Sequence, residues 1–293
     1  MNPRVSVIIR TYNRVDLLRA AIESAFAQTF RDFELIVADD GSTDATRDLV
    51  AQYADRITPV WLEHTGNQAA VMNAGIRAAR GEFIAFLDDD DVWLPEKLQQ
   101  QIARLDSDRC FGFCYGNARL LSPEGRLSAP ALRRDQIVRG SVLRAMVRSM
   151  CVQTSTVVIR RAWVDAIGLF DERQRACEEY FYFLQLARCA WAICEPEPVC
   201  WIREHPNRLS SLQGLATYQA AIVALEGLLE DRSLPLPVRL EAHRSIARYH
   251  THLAKNLIES GNPHAARDHL QRALRRYPFH RSTWRWVASA FAQ

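Results

Sequence analysis

Phe83-Ile84-Ala85-Phe86-Leu87-Asp88-Asp89-Asp90-Asp91-Val92-Trp93 is the stretch from which the fold of this chain is read. Five apolar residues run straight into four consecutive carboxylates. A run this short and apolar reads as a strand buried on both faces of a parallel sheet. Open α/β sheets carry their chemistry just beyond the carboxyl ends of their strands, which is where the acids fall. Four adjacent aspartates repel one another, and folding alone gives no reason to gather them. A divalent cation does: Mg²⁺ or Mn²⁺ held by one or two carboxylates shares its remaining positions with phosphates and water. The stretch points to a metal–phosphate site.

The flanking sequence repeats the strand–helix alternation of a doubly wound sheet. Val5-Ser6-Val7-Ile8-Ile9 is a first strand, followed by the polar loop Thr11-Tyr12-Asn13-Arg14 and a helix over 15–28 with apolar residues at helical spacing. A second strand, 33–38, ends in Asp39-Asp40-Gly41-Ser42-Thr43-Asp44. A helix over 43–54, a third strand over 57–62, the loop His64-Thr65-Gly66-Asn67-Gln68 and a helix over 69–79 stopped by Gly81 lead into the opening stretch. The ends of the first, second and fourth strands then share one rim, so Thr11–Asn13, Asp39–Asp40 and Asp88–Asp91 face a common cleft. Downstream, helices are expected at 94–106, 161–167 and 177–190 and strands at 111–121, 154–160 and 191–203, with a linker over 122–139. From Gly214 strand signals vanish, and helices are expected at 214–231, 236–260, 263–277 and 280–291. The chain divides into an α/β domain, 1–210, and a helical region, 211–293.

Composition narrows the class. The 293 residues are 48% hydrophobic and 24% charged, enough to bury a sizeable core. No apolar run approaches the roughly 20 residues that span a bilayer, and the N-terminus enters a strand at once without a signal-peptide layout, so a cytoplasmic protein is expected. The seven cysteines form no CxxC pair and read as reduced, mostly buried thiols rather than a zinc site. Residues 211–293 carry 11 basic and 6 acidic side chains, whereas 1–210 carry 26 and 28. That excess is small and matches no nucleic-acid-binding motif.

In order along the chain, Val5 to Arg14, Asp39 to Asp44, Asn73-Ala74-Gly75, Arg80-Gly81-Glu82-Phe83 to Asp91, Gly168-Leu169-Phe170-Asp171-Glu172 and Glu178-Glu179 resemble the family 2 glycosyltransferases of GT-A fold. The likeness covers roughly residues 3–210. It implies a Rossmann-like, mostly parallel sheet flanked by helices, and transfer of a sugar with inversion from a nucleotide-diphosphate donor, with uridine diphosphate favoured. By position it implies that Thr11, Tyr12, Asn13 and Arg14 line the nucleotide pocket, that Asp39 reads the base with Asp40 beside it, and that Asp88 and Asp90 are the DxD acids. Asp88 would lie near ribose and metal, and Asp90 would bind Mn²⁺ or Mg²⁺ directly. Asp89 and Asp91 are expected to be solvated or to serve the start of the next helix. The usual catalytic base is the Asp of a Glu-Asp pair opening a helix; here that role falls to Glu179. His205 stands where a late diphosphate contact is expected. Met72 replaces an Arg often found before the Asn-x-Gly, which removes one phosphate contact.

Plainer readings of the same residues exist. Asp39-Asp40-Gly41-Ser42 also has the pattern of a turn and helix cap, and Glu178-Glu179 at a helix start is favoured by the macrodipole without any chemistry. An Asp-dependent phosphotransferase would carry its motif on the first strand, with a Lys and a further acidic pair downstream; the only lysines here are Lys97 and Lys255. A non-catalytic scaffold working through the tail is the other rival. Residues 247–280 weakly resemble one tetratricopeptide repeat, too few for an independent array. The aromatic and arginine-rich segment from Tyr277 to Trp286 suits an anionic membrane face or a subunit contact. The expected acceptor is a glycan, glycolipid or peptide hydroxyl, with peripheral contact at the inner membrane face and oligomer contacts assigned to the helical tail.

Overall fold

A computed structural model describes residues 2–53, 55–205 and 214–291. The chain falls into two compact units, Met1–Val142 with Cys151–His205, and Leu143–Met150 with Pro206–Gln293. The boundary expected near 210 lies outside the described residues.

In the first unit, β1 (Val5–Thr11), β2 (Phe33–Asp39), β3 (Ile57–Trp61) and β4 (Phe83–Asp88) run parallel in the order β3-β2-β1-β4. Helices α1 (Val15–Phe26), α2 (Thr46–Ala51) and α3 (Gln68–Ala78) connect them. The two central strands, β1 and β4, are mostly apolar and buried because both faces are covered, whereas β3 at the edge is largely exposed beyond Ile57. Val7, Ile9, Ala85 and Leu87 pack with Leu18 and Ile22 of α1 and with Leu98 and Ile102 of α4 (Lys97–Ser107). Register then builds the rim: Thr11 pairs with Asp39, and Arg10 with Asp88.

Beyond β4 the sheet becomes mixed. Two short strands, β5 (Val92–Trp93) and β7 (Arg139–Gly140), both pair antiparallel with β9 (Trp191–Arg203). β6 (Phe111–Leu121) runs parallel to β9, and β8 (Val158–Arg160) lies antiparallel between β4 and β6. Three features depart from expectation. The strand foreseen over 154–160 starts as a 3₁₀ turn, Thr154–Thr156, because the Thr156 hydroxyl turns back to the Gln153 carbonyl at 2.8 Å. The linker 122–139 folds back at Gly125, and Leu127 bridges Leu121. Leu143–Ser149, unassigned in the sequence, is a helix, α5; it belongs to the second unit. Helices α6 (Arg161–Ile167) and α7 (Glu178–Cys189) complete the first unit.

The second unit is helical: α5, α8 (Gly214–Leu229), α9 (Leu236–Glu259), α10 (Pro263–Arg276) and α11 (Arg281–Phe291). The 24-residue α9 is the spine on which the others pack. Asn262 caps α10, accepting from the Ala265 amide at 3.2 Å, with Pro263 in the first turn. Small residues, Ala254, Ala266 and Ala290, surround Leu270 where α9, α10 and α11 meet. Among the described residues no helix is long and apolar enough to cross a membrane. All seven cysteines are free; Cys114, Cys151, Cys194 and Cys200 are buried, while Cys110 and Cys189 are exposed.

The turn into β4 depends on Gly81. A Cβ there would lie 2.5 Å from the Ser6 amide nitrogen and 2.7 Å from the Val5 carbonyl carbon. Both are backbone atoms of a buried central strand and cannot step aside. Gly81→Ala is therefore expected to cost about 2 kcal/mol of stability, read as a lowered midpoint in urea; an unchanged midpoint would show that the turn has room to relax.

Candidate active site

The rim is knitted together by its own polar groups. Asp39 is fully buried at the end of β2 and accepts hydrogen bonds from the Ser42 amide, at 2.9 Å, and from the Ser42 hydroxyl. Asp40, also buried, accepts from the Thr65 amide and hydroxyl and from the Gly66 amide, each at 2.9 Å. It thereby holds the 64–66 loop against the end of β2. Gly41 between them has φ +76, and a Cβ there would meet the His64 amide nitrogen at 2.7 Å. Asn13, at φ 50, accepts from the Thr43 amide at 2.7 Å, and its own amide donates to Ser42 Oγ at 2.8 Å. Tyr12 stacks on His64 with ring centroids 4.0 Å apart, and both residues are exposed.

The four aspartates after β4 have four different environments. Asp88 Oδ1 lies 3.1 Å from Arg10 Nη2, yet it is buried without a hydrogen bond among the described residues. Asp89 accepts from the Thr11 hydroxyl at 2.8 Å and from Arg14 at 3.1 Å. Asp90 Oδ2 lies 3.2 Å from Arg14 Nη1 and 2.9 Å from His205 Nε2, so His205 does reach the acidic turn. Asp91 accepts from the Ser155 hydroxyl at 2.5 Å and the Arg203 amide at 3.2 Å. The expectation that Asp89 and Asp91 are solvated is thus corrected: each is 5% exposed. Donors on β1, on the 154–156 turn and on β9 replace water for them.

Glu178 and Glu179 arrive from the far end of the unit. They occupy the first turn of α7, which Cys177 enters in the left-handed conformation at φ 57. The docking of this segment explains two stretches of the sequence. Asn73 is buried on α3, donates to the Phe170 carbonyl at 2.9 Å and accepts from the Phe170 amide at 2.8 Å. Phe170 then stacks on Tyr182 of α7 at 3.9 Å and meets Phe86 of β4 edge-on. Gly75 lets α3 lie close to β1, since a Cβ there would sit 2.4 Å from Ile8 Cγ2. In this way α7 is carried to the rim, where Arg10 receives it: Nη1 lies 3.2 Å from Glu178 and Nη2 2.5 Å from Glu179.

Arg10 was not singled out from the sequence, although its position at the carboxyl end of an apolar strand was a signal available there. Ser155 and Arg203 gave none, because their roles exist only once β9 and the 154–156 turn close around Asp91.

The site is electrostatically crowded. Burial raises the Asp88 carboxyl to about 7 against the pull of Arg10, with Asp90, Glu179 and Asp89 adding to the rise. Burial likewise lifts Asp89 to about 6 despite Arg14. Asp91 is pushed well above the usual carboxylate range by burial and then by Asp88 and Asp90, and Glu178 is raised by burial and by Glu179. Arg10 is disfavoured by burial, but Asp88, Glu179 and Glu178 hold it charged. Oxygens of Asp88, Asp90 and Asp91 lie within 4.8 Å of one another. Hard carboxylate donors, an Asp88 oxygen that meets Arg10 but accepts no hydrogen bond among the described residues, and surplus negative charge together fit a divalent cation of the Mg²⁺ or Mn²⁺ type.

Comparison with known proteins agrees with this geometry. Residues 6–167 match the model of glycosyl transferase family 2. An uncharacterized glycosyltransferase of Rickettsia typhi is 28% identical over 232 residues, covering 75% of this chain and 70% of the relative. WfaP of Escherichia coli, a UDP-Glc:alpha-D-GlcNAc-diphosphoundecaprenol beta-1,3-glucosyltransferase, is 34% identical over 168 residues, covering 56% of this chain and 63% of the relative. Among solved structures, TarS 1–349 of S. aureus in complex with UDP-GlcNAc superposes with a TM-score of 0.71 at 18% identity, over 92% of this chain and 81% of that chain. The mannosyltransferase PcManGT of Pyrobaculum calidifontis, in complex with GDP-Man and Mn²⁺, does so with a TM-score of 0.66 at 20% identity, over 100% of this chain and 81% of that chain. These neighbours establish the GT-A fold. With the family model matching over more than half its length, the chain belongs to glycosyl transferase family 2.

Proposed function

We propose that the chain transfers a sugar from a nucleoside-diphosphate donor to an acceptor hydroxyl in one inverting displacement. The observation that carries this reading is the gathering of Asp88, Asp90 and Glu179 at one sheet rim, with Arg10 between the acidic turn and the start of α7. The donor favoured is a uridine diphosphate sugar, as in the names of WfaP and of the TarS complex. Tyr12 and His64 offer a stacked aromatic wall for the base. Asp39 would read it: an ionised carboxylate has about four lone-pair sites, and Ser42 takes up only part of them.

Asp88 and Asp90 would hold Mg²⁺ or Mn²⁺, which when bound neutralises charge on the departing diphosphate. Asp91, anchored by Ser155 and Arg203, fixes the acidic turn. Arg14 and His205 meet at Asp90 and add donors at the diphosphate side of the rim. Glu179 would take the proton of the acceptor hydroxyl, its carboxylate oriented by Arg10. A glycan or glycolipid acceptor is supported by the lipid diphosphate-linked sugar in the name of WfaP. The C-terminal helices would bring the acceptor, and peripheral contact with a membrane face, to the enzyme.

Glu179→Gln is expected to lower transfer by about 10²- to 10⁴-fold while leaving donor affinity within about twofold, and Asp90→Ala to abolish Mn²⁺ binding measured by calorimetry. Full transfer by the Glu179 variant, or unchanged metal affinity in the Asp90 variant, would sink these assignments.

A pH dependence follows from the same acids. Asp88 and Asp89, at about 7 and about 6, lie above their unfolded values. The folded chain therefore keeps protons that the unfolded chain has released between about pH 4 and pH 7. Stability of the metal-free protein should fall as pH rises through that window. Mg²⁺ or Mn²⁺ should raise Tm by several degrees more at pH 8 than at pH 5, read by scanning calorimetry. A metal effect independent of pH would contradict the crowded-carboxylate account.

A further inference from the structure

The helical unit contains a cleft of about 370 Å³ that shares no residue with the acidic rim. Arg248, His252 and Lys255 line it from successive turns of one face of α9, and His280, Arg285 and Trp286 from α11 and the residue before it. Its floor is fixed by a buried contact: the hydroxyls of Thr251 and Thr283 lie 2.8 Å apart and join the two helices.

Charge in this cleft is one-sided. Arg248, Lys255 and Arg285 confront a single carboxylate, the exposed Glu259, which lies 3.7 Å from Lys255. Arg248 is held in place by donating to the Arg148 carbonyl and to Ser245. Arg285 has no carboxylate partner among the described residues. Burial lowers both imidazoles, and Arg248 with Lys255 at His252, and Arg248 with His252 and Arg244 at His280, lowers them further. Like charges set around a void raise the energy of the folded chain, and an anion in the void relieves it.

We propose that this cleft binds a phosphate- or diphosphate-bearing ligand, with Arg248, Lys255 and Arg285 on the phosphate oxygens and Trp286 against the group esterified to them. A phosphate offers several strong acceptor oxygens and close to two charges, which suits cations converging from two helices better than a lone carboxylate does. The Ser282 hydroxyl, 3.0 Å from His280 Nδ1, adds a further donor at the mouth. The volume admits an ester rather than only a bare ion. Phe279 and Trp284, both exposed on the same segment, offer apolar surface beside the cleft if the ester belongs to a lipid.

The test uses the full chain with chelator present, so that the acidic rim cannot take up diphosphate through a metal. Titration with inorganic pyrophosphate in a calorimeter should show saturable binding, weakened at least about tenfold in the double variant Lys255→Gln, Arg285→Gln. Flotation with phosphatidylcholine vesicles, plain or doped with a long-chain polyprenyl diphosphate, separates the sources. Recruitment by doped vesicles alone, lost in the variant, assigns a lipid head group; pyrophosphate binding without recruitment assigns a soluble phosphate ester. No pyrophosphate binding by the unaltered chain, or equal binding by the variant, overturns the proposal. Nucleotide-sugar hydrolysis by the variant should stay within about twofold of the unaltered chain, so failure of this site is distinguishable from failure of the donor-site reading.

Discussion

The partly buried guanidinium of Arg10 is the contact on which the site depends. It lies at the carboxyl end of β1, opposite Asp88 in the register of the sheet, and reaches Glu178 and Glu179 at the start of α7. Residues more than 160 positions apart are thereby tied at one point. Burying several carboxylates together is costly unless each finds a partner, and Arg10 supplies that partner to three of them. Arg14 and the donors Thr11, Ser155 and His205 serve the remainder. The arrangement still leaves more negative charge than the side chains neutralise, and this imbalance fits a divalent cation at the rim.

Much of the architecture was legible in the sequence, for a physical reason. The central parallel strands are covered on both faces, so Val5–Ile9, Phe33–Ala38 and Phe83–Leu87 read as apolar runs, broken only by Ser6 and Glu34. The acids that follow them mark the carboxyl rim. What could not be read was the environment of each acid. Asp88 to Asp91 look alike in the chain, yet Asp89 and Asp91 are buried on hydroxyls and an amide that come from 64 to 112 residues away. Solvation was the wrong expectation because those partners are set by tertiary pairing. Leu143–Ser149 was missed for a simpler reason: seven residues are too few to show a helical period.

Several of the stretches that carried the family resemblance are structural devices. Asn73 pairs with both backbone groups of Phe170, and Gly75 gives α3 room on Ile8. Asp40 anchors the 64–66 loop through three hydrogen bonds. Asn13 and Asp39 brace the turn after β2 through Ser42 and Thr43. Their common effect is to hold the turn after β2, the 64–66 loop and the segment leading into α7 in fixed places on the first unit. Preorganised geometry of this kind lets a displacement proceed without large rearrangement.

We propose above all that this rim catalyses a single displacement at a sugar carbon. Proton NMR of the anomeric centre during turnover of an α-linked uridine diphosphate sugar tests it most directly, run with Mn²⁺ and again with chelator. A β-linked product that forms only with the metal present is the predicted result. An α-linked product, or transfer that proceeds equally in chelator, would contradict the account.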